Sequence, residues 1–314
     1  MDYTHLGRSG LSVSRLCLGT MNFGWQTEEA ESHAILDRAL EEGINFLDTA
    51  NVYGFDKGKG RTEEVLGTWF AQGGERREKS VLATKVYGGM SDWPNDTFLS
   101  ARNIVRACEA SLRRLQTDRI DLYYAHFDDA GTPLDETLQA FDELEKAGKV
   151  RYTAVSNYSP ARLREALDTA DRLGVRGYVA LQTHYNLMER PLFEAELRDT
   201  AAERDLGVLP YFGLARGFLT GKYRAGERVD SPRAAKAAEY VGEKGDRVLG
   251  ALGAVADEHQ VPVAAVALRW LADQPTVVAP IASARSVEQF ADLLPMTDLV
   301  LTDEQRQRIT DASA

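Results

Sequence analysis

The chain has 314 residues, of which 44% are apolar and 9% aromatic, enough for the core of one large domain or two ordinary ones. Its formal net charge of −11 argues against nucleic acid or an anionic membrane as a partner, because both require a basic surface. No segment approaches the roughly 18 uncharged apolar residues of a membrane span, and the N-terminus lacks the apolar stretch of a signal peptide. We therefore expect a cytoplasmic protein. Its two cysteines, Cys17 and Cys108, are expected to be buried thiols rather than a disulfide or a metal pair.

Short apolar segments alternate with longer amphipathic ones along the chain. The apolar segments are nearly continuous, which is typical of strands buried on both faces of a parallel sheet. Between them the apolar residues recur at helical spacing, and the first such stretch stops at Gly43. The predicted strands span 14–19, 44–48, 80–86, 120–126, 150–156, 178–183, 206–211 and 276–281. The predicted helices span 27–43, 99–115, 133–149, 159–173, about 192–205, 246–259 and 262–274.

The order of these elements predicts a (β/α)8 TIM barrel, an α/β fold, as a single domain over residues 1–314. The YTHLGRSGLSV stretch (3–13) predicts an N-terminal β-hairpin that caps the bottom of the barrel. A polar loop-and-helix insertion over 221–240 and extra helices follow the seventh strand, and a further helical segment is expected at the C-terminus. A doubly wound open sheet is the alternative, although no GxGxxG fingerprint follows an early strand.

Ionisable residues stand at the carboxyl ends of three successive predicted strands, where barrel enzymes place their chemistry. Asp48 ends the second strand, Lys85 lies near the end of the third and His126 ends the fourth. Tyr53 follows in the loop after Asp48. Each residue alone also fits a structural role: a helix cap, a solvent-exposed lysine, a structural histidine or a core tyrosine. Their expected convergence on one rim is what predicts an active site.

Eight motifs along the chain carry a resemblance to a known family. They are LGTMNFG (18–24), INFLDTANVYG (44–54), GRTEEVLG (60–67), VLATKV (81–86), ASLRRLQTDRIDLYYAH (110–126), GKVRYTAVSNYSP (148–160), LQTHYNL (181–187) and GFLTGKY (217–223). With these motifs the chain resembles an aldo-keto reductase, of the bacterial branch that also resembles the potassium-channel β subunits. The resemblance runs from about residue 3 to 311 and implies a (β/α)8 barrel, NADPH-dependent carbonyl reduction and a catalytic tetrad of Asp48, Tyr53, Lys85 and His126.

The chemistry of that tetrad also follows from elementary arguments. Reduction adds a hydride to the carbonyl carbon and a proton to its oxygen. A free tyrosine has a pKa of about 10, so we expect the Lys85 ammonium to lower the pKa of Tyr53 and make it a better acid. Asp48 would keep Lys85 charged, and His126 would orient the substrate oxygen. Tyr53 would be the acid in reduction and the base in oxidation.

The resemblance also implies a cofactor site for NADPH rather than NADH, and no metal. Ser156, Asn157 and Gln182 would hold the nicotinamide carboxamide while Tyr211 stacks on the ring. Where the family usually has Ser-Pro-Leu after that aromatic residue, this chain has Phe212, Gly213 and Leu214. Lys222 would contact phosphate, Ser283 and Arg285 the 2′-phosphate, and Gln289 the adenine, although Ile281-Ala282 and Asp292-Leu293 depart from the family pattern. The remaining residues implied are Gly19, Thr20, Met21, Asp48, Gly217 and Asp292.

The loops suggest the substrate. Trp93, Phe127 and Phe212 are predicted to form an apolar lining. Asp128 and Asp129 beside His126 would disfavour anions, so the prediction is a neutral or cationic carbonyl compound; alternatively, the two aspartates are solvated turn residues.

Two rival functions stay open at this point. One is an NADPH-binding regulatory or partner subunit with little turnover, and the other is an aldolase that forms a Schiff base on Lys85. An oligomer is possible.

Overall fold

A hairpin at the N-terminus closes one end of the molecule. In this computed structural model, which describes residues 1–223 and 234–314, β1 (Tyr3–His5) pairs antiparallel with β2 (Ser12–Ser14). Gly7, at φ 51°, has no room for a side chain, because a Cβ there would lie 2.4 Å from the carbonyl oxygen of Val179. The predicted hairpin cap is therefore confirmed, and it packs directly on barrel backbone.

Eight parallel strands follow the hairpin and form a nearly closed barrel with helices outside it. Their order in the sheet is sequential, with the last strand beside the first, which excludes the doubly wound alternative and confirms the TIM barrel. The strands are β3 (Cys17–Gly19), β4 (Phe46–Asp48), β5 (Val81–Val86), β6 (Ile120–Ala125), β7 (Val150–Ser156), β8 (Tyr178–His184), β9 (Gly207–Tyr211) and β10 (Ile281–Ala282).

The eighth strand differs from its prediction. The sequence predicted 276–281, but β10 contains only Ile281–Ala282. Val277 instead makes an isolated bridge to Val208 of β9, which joins the two ends of the sheet. Thr276 has φ 68° and Pro280 has no N–H, so regular strand pairing cannot run through this segment.

Helices surround the strands largely as predicted. The predicted helix over about 192–205 is two short helices, and a helix at Arg61–Phe70 was not predicted. The extra helices after the seventh strand and at the C-terminus are confirmed; part of the predicted insertion, 224–233, lies outside the described residues. The helices are α1 (Glu29–Glu41), α2 (Arg61–Phe70), α3 (Ala101–Arg114), α4 (Leu134–Lys146), α5 (Pro160–Leu173), α6 (Pro191–Glu194), α7 (Leu197–Glu203), α8 (Ala234–Ala238), α9 (Glu243–His259), α10 (Val263–Ala272), α11 (Val287–Ala291) and α12 (Asp303–Ala312).

The barrel interior is filled with side chains rather than open. Leu6 of the hairpin packs there with Phe46, Leu122 and Leu209, all of them completely buried. Each such side chain contributes roughly 1.5–3 kcal/mol of burial energy. The two cysteines are buried free thiols, as predicted. Across residues 1–223 and 234–314 we find no helix with the length and apolarity needed to cross a bilayer.

Candidate active site

Lys85 and Asp48 form a buried ion pair at the carboxyl ends of β5 and β4. The Lys85 ammonium donates to Asp48 Oδ1 at 2.6 Å, to the Thr49 carbonyl oxygen at 2.8 Å and to the Tyr53 hydroxyl at 3.4 Å. Burial opposes the charged form of Lys85, but Asp48 and Tyr53 outweigh it and raise the pKa of the ammonium above its ordinary value. Lys85 is therefore a fixed cation beneath the tyrosine.

A tight turn after Asp48 brings Tyr53 back over Lys85. Gly54 has φ 132°, and a Cβ there would lie 2.1 Å from the Gly58 carbonyl oxygen, so only glycine fits. Burial raises the pKa of Tyr53 above its ordinary value, and the Lys85 ammonium opposes that rise. Lys85 acts in the predicted direction, but the expected net lowering of the Tyr53 pKa is wrong because desolvation of the phenol outweighs it.

His126 meets the edge of the Tyr53 ring. The two ring centroids are 6.1 Å apart at 81°, and Phe127 stacks on the imidazole at 4.8 Å. Burial and the neighbouring Lys85 lower the pKa of His126 to about 3. The imidazole is thus neutral near pH 7, with one N–H that can donate a hydrogen bond.

A side-chain network links the next three strand ends to this cluster. Asn157, at φ 60°, donates to the His126 carbonyl oxygen at 3.0 Å and to Ser156 Oγ at 2.9 Å. Its Oδ1 accepts from the Tyr211 hydroxyl at 2.7 Å. Gln182 Nε2 donates to Asp48 Oδ2 at 2.9 Å. Asn157 thereby fixes Tyr211 relative to His126. Both N–H groups of the Asn157 amide are used in this way, so only one lone pair of its Oδ1 is left for a ligand.

A cleft of about 720 Å³ opens above these residues. It extends from Tyr53 and His126 to Arg285 and Gln289, and every residue predicted for the cofactor lines it. Lys85 lies beneath the cleft, with its side chain completely buried. Residues that the sequence analysis missed also line it, among them Asn22, Gln26, Arg216, Thr220 and Tyr223.

The chemistry of the cleft fits an anionic dinucleotide. Cationic side chains stand along it at Arg216, Lys222 and Arg285, and guanidinium groups suit phosphate because they donate in pairs. Asn22 lines the cleft and has a buried Oδ1 without a hydrogen-bond partner. Gly19 lies against Ser283, and a Cβ there would approach Ser283 Oγ to 2.8 Å. Glycine at this position thus allows the segment that contains Ser283 to pack directly on β3.

Arg216 had no signal in the sequence beyond its position next to Gly217. It lies in a loop that follows β9, where Phe212, Ala215 and Arg216 all have positive φ. Its guanidinium lies 4.6 Å from the centroid of the Phe212 ring. The aromatic ring that replaces the family's usual serine therefore supports a cation at the cleft wall.

The three predicted substrate residues are not all brought together. Phe127 and Phe212 line the cleft, whereas Trp93 does not and is 78% exposed. The two acidic residues after His126 are occupied elsewhere: Asp128 pairs with Arg162 at 2.8 Å, and Asp129 accepts from the Leu99 amide at 3.0 Å. Both aspartates stabilise loops, so they give no argument against an anionic substrate.

The family model described as "Aldo/keto reductase family" matches residues 15–314. The chain belongs to the aldo-keto reductase family. Membership supports a general oxidoreductase role, and aldo-keto reductases generally use NAD(P)H and act on small carbonyl compounds. Among the residues that the structure describes, no group of three or more His, Cys, Asp and Glu side chains could hold a metal ion.

Relatives align with this aldo-keto reductase over nearly its whole length. It is 44% identical to the "Uncharacterized oxidoreductase YrpG" of Bacillus subtilis, over 99% of this chain and 95% of the relative. It is 34% identical to a "Probable voltage-gated potassium channel subunit beta" of Arabidopsis thaliana, over 98% and 97% respectively. It is 33% identical to "Protein tas" of Escherichia coli, over 97% and 95%. The predicted resemblance to both bacterial reductases and channel β subunits is confirmed.

Proposed function

We propose that the protein is an NADPH-dependent carbonyl reductase that converts an aldehyde or ketone to an alcohol, reversibly. The observation that carries this proposal is the Tyr53 hydroxyl, 3.4 Å from the buried Lys85 ammonium at the base of the cleft. A phenol beside a fixed cation is a proton donor whose conjugate base is stabilised as it forms.

The side chains divide the proton chemistry between them. NADPH, when bound, supplies the hydride to the carbonyl carbon. Tyr53 gives its proton to the carbonyl oxygen, and Lys85 stabilises the resulting phenolate. Asp48 holds Lys85 in place and charged. Neutral His126 donates its N–H to the substrate oxygen and so orients it for the Tyr53 proton. In oxidation the Tyr53 phenolate takes the proton back.

The residues along the cleft would hold the cofactor. Ser156 and Gln182 would bind the carboxamide, with Tyr211 stacked on the ring and held there by Asn157. Lys222 would bind phosphate. We propose that the other cofactor residues predicted from the sequence also contact the cofactor, and their position in the lining of the same cleft supports this.

Recognition of the 2′-phosphate would distinguish NADPH from NADH. Arg285 and Ser283 both line the cleft. Arg285 carries the charge and Ser283 a hydroxyl, and both suit a phosphate monoester. We assign the preference for NADPH to this pair.

The rival functions fare differently. An aldolase lysine must reach the substrate as a neutral amine. Lys85 is completely buried. Asp48 raises the pKa of the Lys85 ammonium and outweighs the opposing effect of burial, so the Schiff-base alternative is not supported. A partner subunit with little turnover is supported by the 34% identity to the Arabidopsis channel subunit.

A turnover assay with Tyr53→Phe tests the proposed function. Wild type should oxidise NADPH with at least one member of a broad panel of aldehydes, ketones and keto sugars. Tyr53→Phe should bind NADPH normally and lose turnover by on the order of 10²–10⁴-fold. Tyr152→Phe is the matched control, because that hydroxyl accepts from the Gly10 amide at the hairpin, remote from the cleft. Equal turnover in wild type and Tyr53→Phe would rule out the assignment of Tyr53.

A further inference from the structure

Glu63 is a completely buried carboxylate outside the cleft. Its Oε1 accepts from the Thr84 hydroxyl at 2.6 Å. Its Oε2 faces Arg114, whose Nε lies at 2.8 Å and whose second guanidinium nitrogen lies at 2.7 Å. A buried carboxylate is strongly destabilising unless all its lone pairs are matched, so this side chain has one well-defined place.

Glu63 joins β5, which carries Lys85, to α2, whose first turn contacts the backbone of Tyr53. Thr84 directly precedes Lys85 in β5. Glu63 lies in the first turn of α2, and that turn holds the backbone of Tyr53: the Tyr53 carbonyl oxygen accepts from the Gly60 amide at 3.0 Å and from the Thr62 amide at 3.4 Å. The hydrogen bond between Thr84 and Glu63 therefore connects the helical turn that holds Tyr53 to β5, the strand that contains Lys85.

Arg114 fixes α2 from the opposite side. Gly60 has φ 90°, and a Cβ there would lie 2.6 Å from Arg114 Cδ. At Gly67, farther along α2, a Cβ would lie 2.0 Å from the Arg114 carbonyl oxygen. The helix thus lies directly on the end of α3, with no side chain between them that could adjust its position.

We propose that Glu63 is a positioning residue that, through Thr84 and Arg114, fixes the Tyr53 hydroxyl against the Lys85 ammonium. The inference rests on the proposed reductase function and adds a residue that touches neither substrate nor cofactor. The Tyr53–Lys85 distance of 3.4 Å is at the outer limit of a hydrogen bond. A shift of α2 by a few tenths of an ångström therefore decides whether the contact exists, and with it the electrostatic support of the phenolate.

The test removes the tie to β5 and keeps the buried ion pair. Thr84→Val is nearly isosteric and deletes only the hydroxyl that bonds Glu63. Thr153→Val is the matched control: Thr153 is also a buried strand threonine, and its hydroxyl bonds Glu145 of a packed helix at 3.3 Å. That helix, α4, holds none of the four proposed catalytic residues.

The first measurement is independent of turnover. The ionisation of Tyr53 is followed by ultraviolet difference titration, with each background compared to the same background carrying Tyr53→Phe. Thr84→Val should raise the pKa of Tyr53 by about half a unit or more, because the opposing effect of Lys85 weakens with distance. Thr153→Val should leave it unchanged, and Thr84→Ser, which keeps the hydroxyl, should restore it.

The second measurement is steady-state reduction. Thr84→Val should lower kcat by about 10-fold with little change in the KM for NADPH, since a misplaced acid slows only the chemical step. If valine prevents folding, Thr84→Ala serves in its place. An unshifted Tyr53 pKa with normal kcat would overturn the positioning role alone. A shifted pKa in a protein that reduces no carbonyl would support the positioning role and overturn the reductase proposal.

Discussion

The Lys85 ammonium lies 2.6 Å from Asp48 Oδ1, with Lys85 completely buried and Asp48 only 4% exposed. Attraction between two desolvated charges is large, and so is the cost of removing either one. The other oxygen of Asp48 is satisfied by Gln182 at 2.9 Å, so the carboxylate has no freedom to turn away. The ion pair therefore fixes the ammonium group that contacts the Tyr53 hydroxyl.

Replacement of Asp48 by asparagine should therefore destabilise the protein as well as slow it. The variant leaves a buried cation without its counter-ion, and we expect a loss of about 3–5 kcal/mol in the free energy of unfolding. Urea denaturation measures it. Glu42→Gln is the control: it breaks an exposed pair with Arg38, at 2.7 Å, and should cost under about 1 kcal/mol. Similar losses in the two variants would contradict the buried-pair argument.

His126 should make the protein sensitive to acid. Its pKa is lowered to about 3 in the folded state, against about 6.5 in the unfolded chain. At pH 7 the imidazole is mostly neutral in both states, so the shift contributes little. Between pH 6.5 and 3 only the unfolded chain takes up the proton, so stability falls as the pH falls.

The comparison that isolates this effect is His126→Gln, which keeps an N–H donor and cannot titrate. Between pH 7 and 4.5, wild type should lose about 2–3 kcal/mol more stability than the variant. Parallel urea denaturation curves at several pH values provide the measurement. Identical pH dependence in both proteins would show that the imidazole is not desolvated.

Much of the fold follows from the sequence because parallel barrel strands are buried on both faces. Seven barrel strands were recognisable as continuous apolar segments. The predicted eighth strand, 276–281, overlaps β10 only at Ile281, because its pairing is interrupted by Pro280 and by the positive φ of Thr276, and backbone conformation of that kind has no hydrophobic signature. The helix at Arg61–Phe70 was not predicted from the sequence.

The candidate active site was also predictable from the sequence only in part. The strand-end rule points to Asp48, Lys85 and His126 from the sequence alone. The direction of the Tyr53 pKa was not predictable, because it depends on the balance between desolvation and Lys85, which only the three-dimensional arrangement defines. Arg216 was missed because its position depends on a loop of unusual backbone conformation. Glu63 was missed because its partners, Thr84 and Arg114, are distant in sequence.

The raised pKa of Tyr53 predicts the pH profile of reduction. The proton donor stays protonated through neutral pH, so kcat should be level there and should fall only at a pH higher than the ordinary tyrosine pKa of about 10, because the pKa of Tyr53 is raised. Oxidation of an alcohol should show the opposite trend, because it requires the phenolate. Initial rates in both directions over a pH series test this. A reduction rate that falls already between pH 7 and 8 would point to a different acid.

Arg285 should decide between the two nicotinamide cofactors. Its side chain lines the cleft, while its backbone amide donates to Gln289 Oε1 at 3.2 Å, so truncation of the side chain leaves the loop anchored. A hydrogen-bonded charge pair with phosphate contributes roughly 1.5–3 kcal/mol. Arg285→Ala should therefore raise the Kd for NADPH about 10–100-fold and leave the Kd for NADH nearly unchanged. Fluorescence titration of both cofactors measures this, with Arg38→Ala as a surface control. If wild type binds NADH as tightly as NADPH, or if the variant weakens both equally, Arg285 does not recognise the 2′-phosphate.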